Sequence, residues 1–292
     1  MSANRTWMFA PGNHPRKVEK VFGVGADVAI LDLEDAVAAA EKAATRETVV
    51  AAMQRSRRCR GYVRVNATDT VWCFRDIYDT LGPWLDGFVL PKVETPEQLQ
   101  TVDWLMRSLE VERGMVAGSL DLVPIVETAL GITNLEAIGE SGTRVRRLAF
   151  GAGDYHKDIN CEWTADEAAL ADARSRLVRV SRAAGLEAPI DTVVIHINDE
   201  QRLRASARRG REFGFQGKLV IHPNQVAVCN EVFTPDENEI AHAREVIAAF
   251  ERAEASGSAS IQLDGYFIDY PIVDRARRVL DTIAAIDAND PD

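Results

Sequence analysis

Val28-Ala29-Ile30-Leu31-Asp32-Leu33-Glu34-Asp35 opens with four apolar residues and ends with three carboxylates in four positions. A run without polar alternation predicts a strand buried on both faces, as in parallel sheets covered by helices. Outward from it, similar short runs recur at Thr6–Ala10, Tyr62–Asn66, Gly87–Pro91, Leu122–Glu127, Leu148–Gly151, Thr192–Ile197 and Leu219–His222. Helical patterns fill the intervals. Thr95-Pro96-Glu97 reads as a cap with proline at the first helical position, and Leu99, Val102, Leu105 and Met106 follow at helical spacing. Eight strands with helical crossovers predict a closed α/β barrel, the (β/α)8 TIM barrel, rather than an open doubly wound sheet. A dinucleotide-binding sheet also wants GxGxxG after its first strand, and Ala10-Pro11-Gly12-Asn13 stands there instead.

The pattern changes after the eighth strand. Asp236 to Ala255 reads as one long amphipathic helix with Ile240, Ala243, Ile247 and Phe250 on one stripe. Asp264-Gly265, between Ile261–Leu263 and Tyr266–Asp269, is a two-residue hairpin signal, and a last helix covers Ile272 to Ile286. The expected organisation is a barrel over residues 1–235 and a C-terminal helix–hairpin–helix extension over residues 236–292. Such an extension exceeds what a barrel needs, so it is expected to pack on a neighbour or over the site. The tail Asp287–Asp292 reads as frayed.

The chain has 292 residues, 46% apolar, with a net charge of −11. That charge argues against a general binder of phosphate backbones, so no nucleic-acid partner is expected. A local basic pocket for a small anion stays open. Arg144, Arg146 and Arg147, and the group Arg202, Arg204, Arg208, Arg209 and Arg211, read as solvated helix faces and turns. Cys59, Cys73, Cys161 and Cys229 form no CxxC pair, which suggests reduced thiols and a cytoplasmic protein. No apolar stretch approaches the roughly 20 residues that span a bilayer, so no membrane partner is expected.

In a barrel of this kind, polar residues at strand C-termini face the active site. The second strand ends in Asp32-Leu33-Glu34-Asp35, the third carries Arg64 between Val63 and Val65, and the fourth ends in Pro91-Lys92. Glu127 ends the fifth, Asp154 follows the sixth in Gly151-Ala152-Gly153-Asp154, and His222 ends the eighth. Glu127 and Asp154 come from adjacent strands, so they can converge on one Mg²⁺, which prefers one or two carboxylates and keeps several waters. The alternative for each is a helix N-cap or a solvated loop acid. Arg64 reads either as a fixed ion pair with Asp32, Glu34 or Asp35, or as a substrate ligand; both can hold together. His222 reads as a ligand contact or as a core histidine. His196 has no HExxH or regular Cys/His spacing around it, which leaves zinc unsupported, and neither GxxxxGK[ST] nor GxSxG occurs.

Eight segments, taken in order, carry a resemblance. They are Phe9-Ala10-Pro11-Gly12-Asn13, Ala26-Asp27 with Leu31-Asp32-Leu33-Glu34-Asp35-Ala36-Val37, Val63-Arg64-Val65-Asn66 and Leu90-Pro91-Lys92-Val93-Glu94. Then come Ile125-Val126-Glu127-Thr128-Ala129-Leu130-Gly131, Phe150-Gly151-Ala152-Gly153-Asp154, Gly214-Phe215-Gln216-Gly217-Lys218 with Ile221-His222-Pro223-Asn224-Gln225, and Gly265-Tyr266-Phe267-Ile268-Asp269. Together they resemble the HpcH/HpaI aldolase and citrate lyase superfamily, in its citrate lyase beta-subunit-like (CitE-like) branch with the malyl-CoA lyases.

The resemblance implies a Mg²⁺-dependent carbon–carbon lyase that cleaves or forms a 3-hydroxyacyl-CoA such as malyl-CoA or citramalyl-CoA. It also implies acyl-CoA and small 2-oxo acids as substrates, and a homo-oligomer, a trimer or hexamer. By motif, Glu127 and Asp154 fall on the metal ligands and Arg64 on the substrate-binding arginine. Asp269 falls on an acid that the C-terminal segment of one subunit places at a neighbour's site. The Gly217–Gln225 stretch, with His222 and Gln225, falls on a region associated with acyl-CoA; Asp32, Glu34 and Lys92 join Arg64 and Glu127 as expected substrate-side residues. Two alternatives remain, a thioesterase on the same scaffold and a non-catalytic acyl-CoA-binding subunit of a lyase complex. Two segments depart from the pattern: Tyr155 to Trp163 replaces a Gly-containing loop, and Pro15-Arg16-Lys17 replaces Pro-Asp-Arg.

Overall fold

The structure is a computed structural model that describes residues 3–263 and 265–289. Parallel strands β1 (Thr6–Pro11), β2 (Val28–Asp32), β3 (Arg60–Arg64), β4 (Gly87–Leu90), β5 (Asp121–Val126), β6 (Ala149–Phe150), β7 (Ile190–Asp191) and β8 (Gly217–Val220) close on themselves in sequence order. The closing pair sets Thr6 of β1 opposite Lys218 of β8. Parallel neighbours need long crossovers, and helices supply them. These are α1 (Pro15–Val21), α2 (Lys42–Met53), α3 (Cys73–Thr80), α4 (Pro96–Glu112), α5 (Ala129–Thr133), α6 (Leu135–Gly139), α7 (Ala152–Ile159), α8 (Ala171–Ala183) and α9 (Glu200–Phe213). Helix α10 (Asn224–Phe233) follows β8. The start of α4 is as read, with Thr95 and Gln98 forming a reciprocal capping box.

Strand pleating sorts each residue to one of two layers. Val28, Ile30, Tyr62, Val123 and Ile125 share one core cluster, the barrel interior, whereas Ala29, Leu31, Val63 and Val126 pack in the larger layer towards the helices. The inward rows therefore run Val28, Ile30, Asp32 on β2 and Tyr62, Arg64 on β3. On β5 the row is Val123, Ile125, then Glu127 just past the strand. The same periodicity that fills the barrel with apolar side chains delivers charged ones at its C-terminal rim.

The opposite rim corrects the reading of Arg144 and Arg147 as solvated. Arg147 is buried, pairing with Asp121 and Glu187 while its guanidinium lies 5.7 Å from the Trp7 ring centroid. Arg144 is likewise tied to Asp103 and Glu110. Burial is tolerated because each cation meets two carboxylates brought from distant strands and helices.

The seventh strand also differs from expectation. It is Ile190–Asp191 rather than Thr192–Ile197, and Ile195 and Ile197 are exposed. The Thr192 hydroxyl accepts from the Ala152 N–H at 2.8 Å, and beyond it the chain leaves the barrel. β3 begins two residues before the expected Tyr62, although the Val65 N–H still donates to Val89 O.

The described chain divides into two compact units, Asn4–Phe233 and a second holding residues from Thr234 onward with Ala3. The second contains α11 (Glu237–Ala255), antiparallel strands β9 (Ile261–Leu263) and β10 (Tyr266–Ile268), and α12 (Tyr270–Asn289). Its core is built from Ala243, Val246, Phe250, Ile268 and Val273, the stripe of α11 meeting α12 and the hairpin. Asp264 of the hairpin turn and the end of the tail read as frayed lie outside the described residues. All four cysteines are unpaired, and no described helix is long and apolar enough to cross a membrane.

Candidate active site

Asp32 and Arg64 are direct partners in the β2–β3 ladder, so their side chains leave the same face at the shortest spacing. Arg64 Nε donates to Asp32 Oδ1 at 2.7 Å, and a second guanidinium nitrogen donates to Oδ2, making a bidentate pair. A third nitrogen stands 2.9 Å from Glu34 Oε2. The guanidinium lies 4.8 Å from the centroid of the Phe9 ring. Burial would ease the proton off Arg64, but Asp32 and Glu34 outweigh it and raise the group further. Burial would also raise Asp32, and Arg64 with the Glu34 and Ala36 N–H groups hold it below the usual carboxylate range. Glu34 goes the other way: burial lifts it despite Arg64 and Lys92. The ion-pair reading of Arg64 thus holds as geometry, and it orients a cation rather than removing it.

Lys92 links this cluster to Glu127. Its ammonium donates to Glu34 and lies 3.4 Å from Asp35, and its own N–H donates to Glu127 Oε1 at 2.8 Å. The backbone at Lys92 has φ 52°, the left-handed region that costs a residue with a side chain about 1–2 kcal/mol. That conformation turns the N–H toward Glu127.

Glu127 is 3% exposed. Burial pushes its carboxyl up to about 8, with the charges of Glu34 and Asp154 adding to the push and Arg64 and the Lys92 N–H opposing it. The carboxylate occupies space that Gly151 leaves free: a Cβ there would come within 2.2 Å of Glu127 Oε2. Asp154 stands in the first turn of α7, half-buried, and that helix starts with the Ala152 N–H held by Thr192. Asp154 lies close enough to Glu127 for its charge to raise that carboxyl.

The donor set suits a hard divalent cation. Asp32, Glu34, Asp35, Glu127 and Asp154 bring five carboxyl groups beside two cations, Arg64 and Lys92, and a dication there would favour the ionised form of the raised Glu127. Among the described residues no three His, Cys, Asp or Glu side chains are grouped to enclose an ion. Two carboxylates with open positions match a magnesium-type arrangement, in which waters and substrate oxygens complete the shell.

His222 and Gln225 sit at the end of β8. His222 is half-buried, and its Nδ1 accepts from the Asn224 N–H at 3.3 Å. Gln225 is buried and engaged at both ends of its amide, accepting from the Ile221 N–H and donating to Val194 O, so it braces the segments after β7 and β8. Asp269 belongs to the C-terminal unit, between β10 and α12, where its carbonyl accepts from the Ile272 and Val273 N–H groups. Phe9 and Gly151 are members of the site that sequence reasoning missed. Alternation along β1 from Trp7 points to Phe9; only the tertiary contact with Glu127 points to Gly151.

An eight-stranded α/β barrel with a buried arginine–carboxylate cluster at the C-terminal strand ends belongs to the class of barrels whose active sites are built there. More particularly, residues 5–223 match the model of the HpcH/HpaI aldolase/citrate lyase family, and the chain belongs to that family. It is 37% identical over 278 residues to a citrate lyase subunit beta of Leuconostoc mesenteroides subsp. cremoris, covering 94% of this chain and 92% of that protein. It is 33% identical over 299 residues to an L-malyl-CoA/beta-methylmalyl-CoA lyase of Cereibacter sphaeroides, covering 95% and 93%. The structure of CitE from Mycobacterium tuberculosis in complex with magnesium, acetoacetate and coenzyme A superposes with a TM-score of 0.78 at 27% identity, covering 97% of this chain and 98% of that one.

Proposed function

We propose that the protein is a Mg²⁺-dependent carbon–carbon lyase acting on CoA esters, cleaving or forming a 3-hydroxyacyl-CoA of the malyl-CoA or citramalyl-CoA type. The observation that carries this reading is Glu127: a nearly buried carboxyl held up to about 8, within reach of the Asp154 charge and joined through Lys92 and Glu34 to Arg64. The family membership and the lyase names of its relatives support it.

Glu127 and Asp154 would hold the ion. Once bound, Mg²⁺ supplies a Lewis acid that polarises substrate oxygens at the reacting end. Arg64, locked by Asp32 and Glu34, presents fixed positive charge to the thioester oxygen. As the bond between the hydroxyl-bearing carbon and the carbon beside the thioester breaks, the electron pair moves onto the thioester as an enolate, and Arg64 stabilises that oxygen. The hydroxyl carbon becomes a carbonyl as its proton passes to solvent water. Asp269 then delivers a proton to the enolate carbon in cleavage and removes it in condensation, placed by a neighbouring copy in a homo-oligomer. Gln225 keeps the β7 and β8 loops in place along the expected acyl-CoA path.

The test is to incubate the protein and Mg²⁺ with acyl-CoAs plus glyoxylate, pyruvate or oxaloacetate, following products by mass spectrometry. A condensed 3-hydroxyacyl-CoA is expected, and its formation should vanish in Glu127→Gln together with Mg²⁺ binding. Normal magnesium-dependent turnover by Glu127→Gln would overturn the scheme. Release of free CoA without a carbon–carbon product would favour a thioesterase. The relatives named as a citrate lyase subunit favour a second reading, a subunit of a larger lyase, for which acyl-CoA would bind without turnover.

A further inference from the structure

Lys42 lies in the first turn of α2 and is buried, yet it is neither in the arginine cluster nor beside Glu127. Its ammonium donates to Leu33 O at 2.8 Å, Glu34 O at 2.6 Å and Asn66 Oδ1 at 2.7 Å. The Trp72 ring closes another side, its centroid 5.3 Å from Nζ. An ammonium has three protons and no lone pair, and these three acceptors use all of them. The orientation of Asn66 follows from its other bonds: Nδ2 donates to Leu33 O at 3.0 Å and Asp76 Oδ2 at 2.6 Å, which turns Oδ1 to Lys42. Asp76 is held in turn by Arg46 Nε at 2.8 Å. Two successive carbonyls, an amide oxygen and an aromatic face make a cage suited to a small monovalent cation, and the chain fills it with its own ammonium.

The caged carbonyls belong to the turn that carries Glu34. The Glu34 N–H is bound by Asp32 at 2.9 Å, its carbonyl by Lys42, and its carboxylate spans Arg64 and Lys92. We propose that Lys42 is a positioning residue, an internal cation that fixes the Glu34 turn and through it the Arg64 guanidinium and the Lys92 segment that holds Glu127. Lys42 itself reaches neither ion nor substrate. The inference rests on the reading of the Arg64–Glu127 cluster as the active site. A charge is buried here because an aliphatic side chain of equal length would leave these three buried oxygens without that donor.

The test uses Mn²⁺ as a probe, read by the EPR signal of the free aqua ion, alongside thermal melting. Lys42→Ala should weaken Mn²⁺ binding about 10- to 100-fold, the range for losing an outer partner of a ligand set, and lower the melting temperature. Ammonium or ethylammonium chloride should restore both, whereas sodium chloride at equal ionic strength should not. Lys42→Met fills the volume without charge, so it should fold, bind Mn²⁺ weakly and gain nothing from ammonium. Wild-type Mn²⁺ affinity in folded Lys42→Met overturns the proposal, as does a folded Lys42→Ala that ammonium leaves unchanged. If Lys42→Ala does not fold even in ammonium, the Mn²⁺ affinity of Lys42→Met decides alone. A wild type without lyase turnover overturns only the proposed reaction, because Mn²⁺ affinity and ammonium recovery are read without substrate. If the wild type binds no Mn²⁺, ammonium-specific recovery of Lys42→Ala melting supports the cage and its absence overturns it.

Discussion

Gly151 has to lack a side chain because the Glu127 carboxylate takes the place a methyl group would fill, 2.2 Å from Oε2. Gly151→Ala therefore displaces the carboxylate without removing it. The expected result is a loss of about 10²-fold in kcat/KM, as for a displacement of ~1 Å at a reacting group, with Mg²⁺ affinity reduced in calorimetry and the circular dichroism spectrum unchanged. Full activity in that variant would mean Glu127 has room to move and is not held where the chemistry needs it. The acids at this scale were legible in the sequence, since Asp32, Glu34 and Glu127 end apolar runs where a charge has no packing reason to be. Gly151 was not, because its constraint comes from a side chain 24 positions earlier.

At the scale of elements, β7 shows how a strand can exist with almost no ladder. It has two residues, Ile190 and Asp191. Asp191 accepts from Arg174 on α8 at 2.9 and 3.0 Å and from Lys218 on β8 at 2.6 Å, all three fully buried. Burial alone would raise Asp191, but Lys218 and Arg174 outweigh it and hold the carboxyl below its ordinary value. Glu167, bound by Arg174, Arg209 and Ser206, is lowered in the same way against its own burial. A depressed folded value means these carboxylates stabilise the fold fully above the ordinary carboxylate range. That contribution is lost as pH falls through their lowered values. Through these two groups urea unfolding should show stability falling below about pH 4.5, the ordinary range of these acids, while Glu127, raised to about 8, adds a separate decline as pH rises from that range toward 8. Asp191→Asn should cost about 3–5 kcal/mol at pH 7 by leaving buried cations uncompensated, and should flatten part of the acid decline. An Asn variant of unchanged stability would show that the ion cluster does not hold β7. This dependence also explains why periodicity placed the strand at Thr192–Ile197: two residues carry no periodic signal, and the ion pairs that define them span 17 and 27 positions.

For the molecule as a whole, the proposed mechanism has Asp269 of one copy act at the Arg64 of a neighbouring copy. If a neighbouring copy supplies it, Arg64→Ala and Asp269→Asn should each be nearly inactive alone and recover activity when co-refolded. Random mixing of equal amounts gives roughly a quarter of sites with both wild-type residues in a closed oligomer, so recovery to about a quarter of wild-type turnover is expected. No recovery from a mixture that forms hetero-oligomers in native mass spectrometry would count against a shared site. The helix–hairpin–helix order of this unit was read correctly from the stripe of α11 and the turn signal, because both are local.

The sequence alone settles what depends on near neighbours along the chain. Strand and helix periods, the cap at Thr95 and the charged residues ending apolar strands are enough to specify a (β/α)8 barrel and to mark its charged C-terminal rim. Only the tertiary structure could decide which charges meet: Arg147 buried against Asp121 and Glu187, Lys42 caged by Leu33, Glu34 and Asn66, and Glu127 lodged on Gly151. The physical reason is one of range. Backbone periodicity is set within a few residues, whereas a buried charge is stabilised by whichever partners closure of the barrel brings within about 3 Å, however far apart they lie in the chain.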